Sequence, residues 1–525
     1  MTDAIGTGRK RVTMRRFPRF VSLALLIPCL AFAQETPPKS DEPKPPEKKE
    51  EKKDDDKPKE RTGAAVIAGA EVKYATLTGQ LPIFKEDGSP RASVFYIYYA
   101  AVDKEGKRLA ATNPGGRPIM YCFNGGPGSA AVWLHFGGLG PKRVDLPPDG
   151  LTPATLAKIV DNPNSILDGT DLVFIDPVGT GISRAAKGEK PEQFFGVDED
   201  INAIGEFIRL FTTREQRWES PKYLCGESYG VFRASGLVNY LQETHGMYFQ
   251  GLVLLSGLVS FQTLRADFAN DLPYILTLTT FTATAHYHKK LPPDLQGDYE
   301  KAVRESRAFA NGDYAVALLK GRSIAPEERK RIAAQLARFT GLSAELIEDA
   351  DLRIGPSLFR ERLLRAEGKI LGRYDARVTS EDTDRLGAEP EFDPSFSNVV
   401  GPFSAATNAY IRGTLGFESD LPYRVLTGLS WNYTSFAGRY ASTAGRLAES
   451  MKSNPQLRLL VLVGKRDLAV PPDTMRYSLD HLDIPASLRK NVTWSEFDSG
   501  HMMYLLRSDA EKLRADLTGF VKAGQ

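Results

Sequence analysis

Residues 226–230 constrain the fold of this chain more than any other short segment. They read Gly-Glu-Ser-Tyr-Gly and come directly after an apolar run over residues 222–225. Residues 229–241 then carry apolar side chains at helical spacing, which indicates a helix with one apolar stripe. When a strand turns sharply into a helix, small flanking residues allow the turn and the central serine stands clear of its neighbours. Because such a pentad arises by chance in roughly one chain in ten of this length, it is the surrounding strand and helix that predict a nucleophile at Ser228.

Composition narrows the class of substrate. The chain has 525 residues, of which 42% are hydrophobic and 26% charged, as in an ordinary water-soluble globular protein. Its formal net charge is only +2 and the charges are dispersed, so nothing indicates a nucleic-acid partner. We therefore expect small organic or peptide substrates.

The first 33 residues have the features of an export signal. Three arginines at positions 15, 16 and 19 precede an apolar stretch over residues 20–32, which closes with Ala31, Phe32 and Ala33. That stretch is too short for a comfortable membrane span, and no later run reaches the roughly 18 apolar residues that a span requires. The sequence predicts cleavage after residues 1–33, export to the periplasm or the extracellular space, and a mature chain without a transmembrane segment.

The type of export signal stays open. Met14 is an alternative start, and Arg15 with Arg16 is compatible with a twin-arginine signal that lacks its usual flanks. Cys29 suggests lipidation, although Pro28 stands where that modification favours a small residue.

Residues 34–62 are predicted to be a disordered tether. The segment is almost wholly Pro, Lys, Glu and Asp, so it has too little apolar surface to offset the entropy of ordering. After removal of the signal only Cys122 and Cys225 remain, which excludes a framework of several disulfides. Each lies near the end of a predicted strand, and we expect buried free thiols, because neighbouring parallel strands seldom offer disulfide geometry.

The remaining chain alternates between strand and helix patterns. Strands are predicted over residues 93–102, 118–123, 171–175, 222–225, 251–255, 457–463 and 492–497. Helical stripes appear over residues 201–211 and 513–521. This alternation favours an α/β fold with a mostly parallel central sheet flanked by helices. Residues 63–260 and 426–525 form its two parts.

Residues 261–425 are predicted to form an inserted helical lid. The segment has long charged helical stretches over 327–339 and 356–371 and few strand patterns, and residues 398–426 would be its return limb to the core. His286 and His288 lie within it without a cysteine or carboxylate at ligand spacing, so no metal is predicted.

A serine nucleophile needs a base and a carboxylate that orients the base. Asp467 and His501 each follow a predicted strand, and ligands of α/β sheets lie at the carboxyl ends of the strands. The order Ser228, Asp467, His501 is that of α/β-hydrolases. Asp498 is a rival for the orienting acid, but closeness in sequence does not favour it, because triad members meet in space.

Residues 124–129 form a glycine-rich loop directly after the predicted strand 118–123. Such a loop exposes backbone amides that can stabilise a tetrahedral oxyanion. In α/β-hydrolases one amide follows the nucleophile, here Tyr229, and another comes from the loop after an earlier strand, here Gly126. The alternatives are a plain glycine-rich turn, or a phosphate loop that lacks its lysine.

Three segments together resemble the serine carboxypeptidase family: residues 124–129, the segment Asp-Pro-Val-Gly-Thr-Gly with Ser183 over residues 176–183, and residues 226–230. With Asp467 and His501 in matching order, the resemblance extends from about Lys73 to Gly519. It implies an α/β-hydrolase fold with a helical insertion, release of C-terminal residues from peptides through an acyl-enzyme, and neither metal nor cofactor.

The resemblance also implies roles for single residues. Ser228 is the nucleophile, His501 the base and Asp467 the orienting acid, while the amides of Gly126 and Tyr229 form the oxyanion hole. Asn124 and Glu227 bind the terminal carboxylate of a peptide with a free C-terminus.

The chain departs from better-known members at two positions. They carry a tryptophan two residues before the asparagine and a second glutamate before Leu-Gly-Pro, where this chain has Cys122 and Gly138. Two alternatives therefore stay open: an esterase or acyltransferase on the same fold, and a non-catalytic envelope binding protein.

Overall fold

The computed structural model describes residues 57–113, 115–154, 158–384 and 386–524. The predicted export signal, residues 1–33, lies outside the described residues, as does the predicted tether up to residue 56.

Ten of the described strands form one sheet. The strands, β1 to β14 in chain order, are Lys59–Ile67, Ala70–Phe84, Pro90–Ala101, Ile119–Phe123, Lys142–Val144, Ile159–Asp161, Asp171–Ile175, Arg184–Ala185, Lys222–Glu227, Gly251–Leu255, Lys369–Leu371, Thr379–Glu381, Arg458–Gly464 and Val492–Phe497. Within the large sheet the order is β1-β2-β3-β7-β4-β9-β10-β13-β14, and β8 pairs with β3. The β5–β6 and β11–β12 pairs form separate two-stranded sheets.

Six neighbouring strands of the large sheet, from β7 to β14, run parallel. The neighbouring pairs β1–β2, β2–β3 and β3–β7 are antiparallel. The order reverses where β4 lies between β7 and β9, so crossover connections leave in opposite directions at that point. This is the α/β-hydrolase arrangement, and the predicted fold class is confirmed.

Helices cover both faces of the sheet. The helices, α1 to α14, are Leu109–Thr112, Val197–Arg214, Tyr229–His245, Leu272–Tyr287, Pro293–Gln296, Tyr299–Phe309, Ala315–Lys320, Pro326–Thr340, Ala344–Asp349, Pro356–Arg362, Pro394–Ala409, Ala444–Ser453, Pro472–Asp480 and Arg507–Lys522. Odd-numbered residues of β4 pack into one apolar cluster with α2, α3 and α12, and even-numbered residues pack into the other with α11 and α14. Both clusters are continuous because parallel strands buried on both faces are apolar throughout. No helix within the described ranges is long and apolar enough to cross a membrane.

The insertion between β10 and β13 has two parts. Helices α4 to α10 share an apolar cluster of their own. Helix α11 instead contributes Val399, Phe403 and Ala406 to the cluster on one face of the main sheet. The second part of the insertion therefore packs with the core of the main sheet and not with helices α4 to α10.

The structure corrects the sequence predictions at two places. The predicted tether over residues 34–62 ends too late, because β1 begins at Lys59 and pairs with β2 through backbone hydrogen bonds that need no apolar side chains. The predicted helix over residues 356–371 ends early: α10 stops at Arg362, and Gly368 in the left-handed conformation (φ +67°) leads into β11.

Cys122 and Cys225 lie opposite each other on the neighbouring strands β4 and β9. Both are free and buried, as predicted.

Candidate active site

Ser228 lies at the tip of a strained turn between β9 and α3. Its backbone has φ 62° and ψ −126°, a conformation that costs about 1–3 kcal/mol for a residue with a side chain. The turn holds because the Ser228 N–H donates to the Leu255 carbonyl at 3.0 Å. A Cβ atom on Gly226 would come within 2.2 Å of the Gly230 carbonyl oxygen, so the turn requires glycine there. Ser228 itself is only partly buried.

Asp467 and His501 meet at the carboxyl ends of β13 and β14. The His501 Nδ1 and the Asp467 Oδ2 are 2.6 Å apart. The other oxygen of Asp467 accepts hydrogen bonds from the amides of Ala469 and Val470, at 2.8 and 2.9 Å. These bonds fix the Asp467 carboxylate. Its Oδ2 then holds the imidazole with Nδ1 protonated, which leaves Nε2 available as a base.

The rival acid lies elsewhere. Asp498 is largely exposed and pairs with Lys465 at 2.9 Å. The structure therefore brings Asp467, and not Asp498, to the histidine.

The pair changes the titration of the imidazole. Burial alone would lower the pKa of His501, but the negative charge and hydrogen bond of Asp467, together with Glu227, raise that pKa above its ordinary value. Burial also raises the pKa of Asp467, against the opposing effect of His501. The arrangement stabilises a proton on the imidazole, which a base needs when it takes one from an alcohol.

The glycine-rich loop after β4 packs directly on the start of α3. A Cβ atom on Gly125 would lie 2.3 Å from the Tyr229 amide nitrogen. Return-segment residues hold the loop in place, because the Thr427 N–H donates to the Gly128 carbonyl at 2.9 Å and the Ala130 N–H donates to the Val425 carbonyl at 3.0 Å. Within the described ranges, the amides of Gly126 and Tyr229 donate to no protein acceptor.

Glu227 and Asn124 are buried beside the nucleophile. Burial raises the pKa of Glu227 to about 7, although His501 and a hydrogen bond from Tyr504 lower it. The Tyr504 hydroxyl donates to the Glu227 Oε2 at 2.8 Å. The Asn124 side-chain oxygen accepts from the Leu134 N–H at 3.0 Å, which leaves its NH₂ group directed toward the carboxyl of Glu227.

Tyr504 is a site residue that the sequence analysis missed. Its ring lies against Gly137 and Gly138, where an added Cβ atom would come within 2.4 and 3.0 Å of ring carbons. The lack of a side chain at Gly138 thus makes room for the Tyr504 ring. A glycine pair preceding Leu-Gly-Pro, with a tyrosine three residues after His501, was the signal in the sequence.

One cavity of about 370 Å³ joins these groups. Its walls include Asn124, Gly126, Glu227, Ser228, Tyr229 and His501. Asp467 lies behind His501 and is fully buried. The structure therefore places six of the seven predicted site residues in the wall of one cavity and Asp467 behind it, and the insertion contributes further wall residues that the sequence analysis did not predict. No cluster of His, Cys, Asp or Glu in the described part of the chain is suited to hold a metal ion.

Comparison with known proteins agrees with this geometry. Residues 73–290 match the model of the serine carboxypeptidase family, a segment that includes Asn124, Glu227 and Ser228. Over this segment the chain is similar to the serine carboxypeptidase family. The predicted resemblance is thus confirmed.

A serine carboxypeptidase-like protein of Arabidopsis thaliana, number 45 of its series, is 27% identical over 229 residues. The match covers 38% of this chain and 46% of that relative, so it spans about half the length of the plant protein. The family match and the fold together support a hydrolase.

The similarity to solved structures is lower. The structure of VinJ is 14% identical, covers 85% of this chain and 98% of its own, and has a TM-score of 0.37. A proline iminopeptidase from Mycobacterium smegmatis is 13% identical with the same coverage and TM-score.

Proposed function

We propose that the protein is a serine carboxypeptidase that removes C-terminal residues from peptides through an acyl-enzyme on Ser228. The observation that carries the proposal is the cavity in which Ser228 and the Asp467–His501 pair lie beside Asn124 and Glu227. The strained turn at Ser228 and the free amides of Gly126 and Tyr229 support it.

Acylation uses the triad and the two amides. The Ser228 oxygen attacks the carbonyl carbon of the last peptide bond while His501 Nε2 takes the hydroxyl proton. The amides of Gly126 and Tyr229 stabilise the negative charge that develops on the carbonyl oxygen. His501 then gives its proton to the leaving amine, the C–N bond breaks, and the C-terminal residue departs.

Deacylation repeats the same steps with water. His501 takes a proton from water as its oxygen attacks the ester, and returns the proton to Ser228 when the ester bond breaks. Asp467 stays ionised throughout and stabilises the imidazolium in both halves.

The terminal carboxylate of the peptide binds to Asn124 and Glu227. The Asn124 NH₂ group donates to it, and Glu227 donates when protonated, which its pKa of about 7 allows near neutral pH. Two ionised carboxylates in contact would repel each other, so binding requires this proton.

Export completes the proposal. The arginines and the apolar stretch within residues 1–33 are those of an export signal, and we place the enzyme in the periplasm or outside the cell, acting on peptides there.

A second candidate is an esterase or acyltransferase with the same nucleophile. The observation that favours it is the tyrosine ring at Gly137 and Gly138, which leaves Glu227 without a second carboxyl group. Such an enzyme would not require a free C-terminus.

Replacement of the nucleophile tests the proposal. Ser228→Ala is expected to abolish labelling by a fluorophosphonate probe. The wild type, incubated with a library of peptides, is expected to remove residues from their C-termini, which mass spectrometry of the products detects. Ser235→Ala is the matched control, since Ser235 is a buried serine of α3 whose hydroxyl has no protein partner in the described ranges. Labelling that persists in Ser228→Ala contradicts the assignment of the nucleophile, and labelling without peptide shortening favours the esterase.

A further inference from the structure

Two arginines line the cavity without an acidic partner. Arg265 follows the short turn after β10, and Arg373 lies in the turn between β11 and β12. Both side chains are exposed at the cavity. Across the described residues neither guanidinium forms an ion pair with a carboxylate. Both charges are therefore available to a ligand.

The backbone of Arg373 is tied to the reacting centre. Its N–H donates to Asp393 Oδ1 at 2.9 Å, and its carbonyl accepts from the Leu468 N–H at 3.1 Å. The main-chain carbonyl of its neighbour Tyr374 accepts a hydrogen bond from the main-chain N–H of His501 at 2.6 Å. These main-chain contacts join the backbone of Arg373 both to the turn that carries Asp467 and to His501, so the fold fixes the position of that backbone in the cavity wall.

Stacking holds the guanidinium of Arg265. The group lies 4.6 Å from the centre of the Phe261 ring and 5.1 Å from that of Tyr433. Its Nη2 also lies 3.4 Å from the Tyr433 hydroxyl. A guanidinium stacked on aromatic faces keeps its N–H edge free to bind a planar anion.

The charges of the cavity are unbalanced. Glu227 is the one acidic side chain among the described wall residues, and it is buried with a pKa of about 7. The two guanidiniums carry a positive charge. Because a cleft concentrates the field of its wall charges, this cavity attracts anions.

We propose that Arg265 and Arg373 bind an acidic side chain of the substrate, so that the enzyme prefers peptides with Asp or Glu at one of the last two positions. This inference rests on the proposed peptidase function. The terminal carboxylate already has its partners, Asn124 and Glu227, in the buried part of the cavity. The exposed arginines therefore contact a different part of the peptide, and the group that a guanidinium binds best is a second carboxylate.

Matched peptides test the preference and locate it. The N-blocked dipeptides Ala-Glu and Ala-Gln differ only in the charge of the last side chain, and Glu-Ala and Gln-Ala differ at the penultimate one. We expect kcat/KM to be about tenfold or more higher for the acidic member of one pair, as a charge-assisted hydrogen bond provides. The pair that shows the difference identifies the position.

Substitutions assign the preference to the arginines. Arg265→Gln and Arg373→Gln are each expected to lower severalfold the ratio of kcat/KM for a glutamate peptide to kcat/KM for its glutamine counterpart. Arg331→Gln should keep the ratio of the wild type, because Arg331 is an exposed arginine on α8 that pairs with Asp313 and lies outside the cavity wall.

Equal kcat/KM for the acidic and amide peptides in the wild type overturns this inference, as does a ratio that neither arginine substitution changes. If the wild type cleaves the glutamine peptides as well as the glutamate peptides and is labelled at Ser228, the proposed function stands and only the acidic preference fails. If it cleaves no peptide at all, the proposed function is wrong, and the acidic preference is wrong as well.

Discussion

At the residue scale, the hydroxyl of Tyr504 controls the proton on Glu227. Its hydrogen bond to the Glu227 Oε2 stabilises the ionised carboxylate and lowers the pKa of Glu227 relative to burial alone. The proton on that carboxyl is what allows the proposed binding of a substrate carboxylate. We therefore expect Tyr504 to act as a positioning residue that sets the pH range of this binding.

Tyr504→Phe is expected to move this pH range upward. In the wild type, kcat/KM for a peptide with a free C-terminus should fall as pH rises through about 7, because Glu227 loses its proton. Without the hydroxyl the pKa of Glu227 rises, so the fall should occur at a pH higher by roughly half a unit to one unit. The pH profile of kcat/KM measures the shift.

The corresponding peptide amide is the substrate control for Tyr504→Phe. It has no terminal carboxylate, so its kcat/KM should not show the fall near pH 7. Tyr477→Phe is the protein control, because Tyr477 stacks on His481 and lies outside the cavity wall. An unchanged profile in Tyr504→Phe would mean that the hydroxyl does not act on Glu227.

At the element scale, the turn from β9 to α3 depends on backbone contacts. The Gly226 Cα lies so close to the Gly230 carbonyl that a methyl group has no room, and both partners are main chain and unable to rotate away. The apolar run and helical stripe predicted this strand and helix correctly.

Gly226→Ala is expected to destabilise the protein by about 3 kcal/mol or more, because the added methyl group forces backbone apart. Thermal unfolding measures the loss, and fluorophosphonate labelling at 25 °C reports the turn itself. Gly519→Ala is the control: Gly519 lies in α14 with open space at its Cβ position, so alanine should stabilise by about 0.5–1 kcal/mol. A melting temperature equal to that of the wild type in Gly226→Ala would contradict the tight turn.

The sequence predicted the buried parallel strands best. Strands β7 and β10 have the predicted ends, since each is a short buried apolar run between turn residues, and the half-buried edge strand β14 has the predicted ends as well. Strand β1 was missed because its first residues are charged and exposed, and strand β2 because polar and small residues interrupt its apolar pattern; pairing between the two strands decides their conformation. Tyr504 and the two arginines were missed because only the folded chain brings them to Glu227 and Ser228.

At the scale of the whole molecule, one carboxylate joins the insertion to the core. Asp473 lies in the first turn of α13 and is buried. It accepts hydrogen bonds from Thr279 of α4 at 2.7 Å and from Arg307 of α6 at 3.1 and 3.2 Å. The position of the insertion over the cavity therefore depends partly on this side chain.

Asp473→Ala is expected to lower stability by about 1–3 kcal/mol, because Arg307 and Thr279 lose their partner. A looser insertion should also raise KM for peptides more than it lowers the rate of fluorophosphonate labelling. The melting temperature and the two kinetic constants measure these effects.

Asp313→Ala serves as the matched control for the anchor. Asp313 pairs with Arg331 at 2.7 Å, but both side chains are more than half exposed, and such surface pairs contribute little to stability. Equal effects of the two substitutions would show that Asp473 does not anchor the insertion.

The hydrogen bonds that join Val425 to Ala130 and Thr427 to Gly128 limit which segments of this protein can be exchanged. A chimera that takes its cap from a relative can exchange the helices α4 to α10, which share their own apolar cluster. A graft that extends past residue 424 replaces Val425 and Thr427, which hold the loop that carries the Gly126 amide. Such a chimera would change the rate of the chemical step together with the choice of substrate.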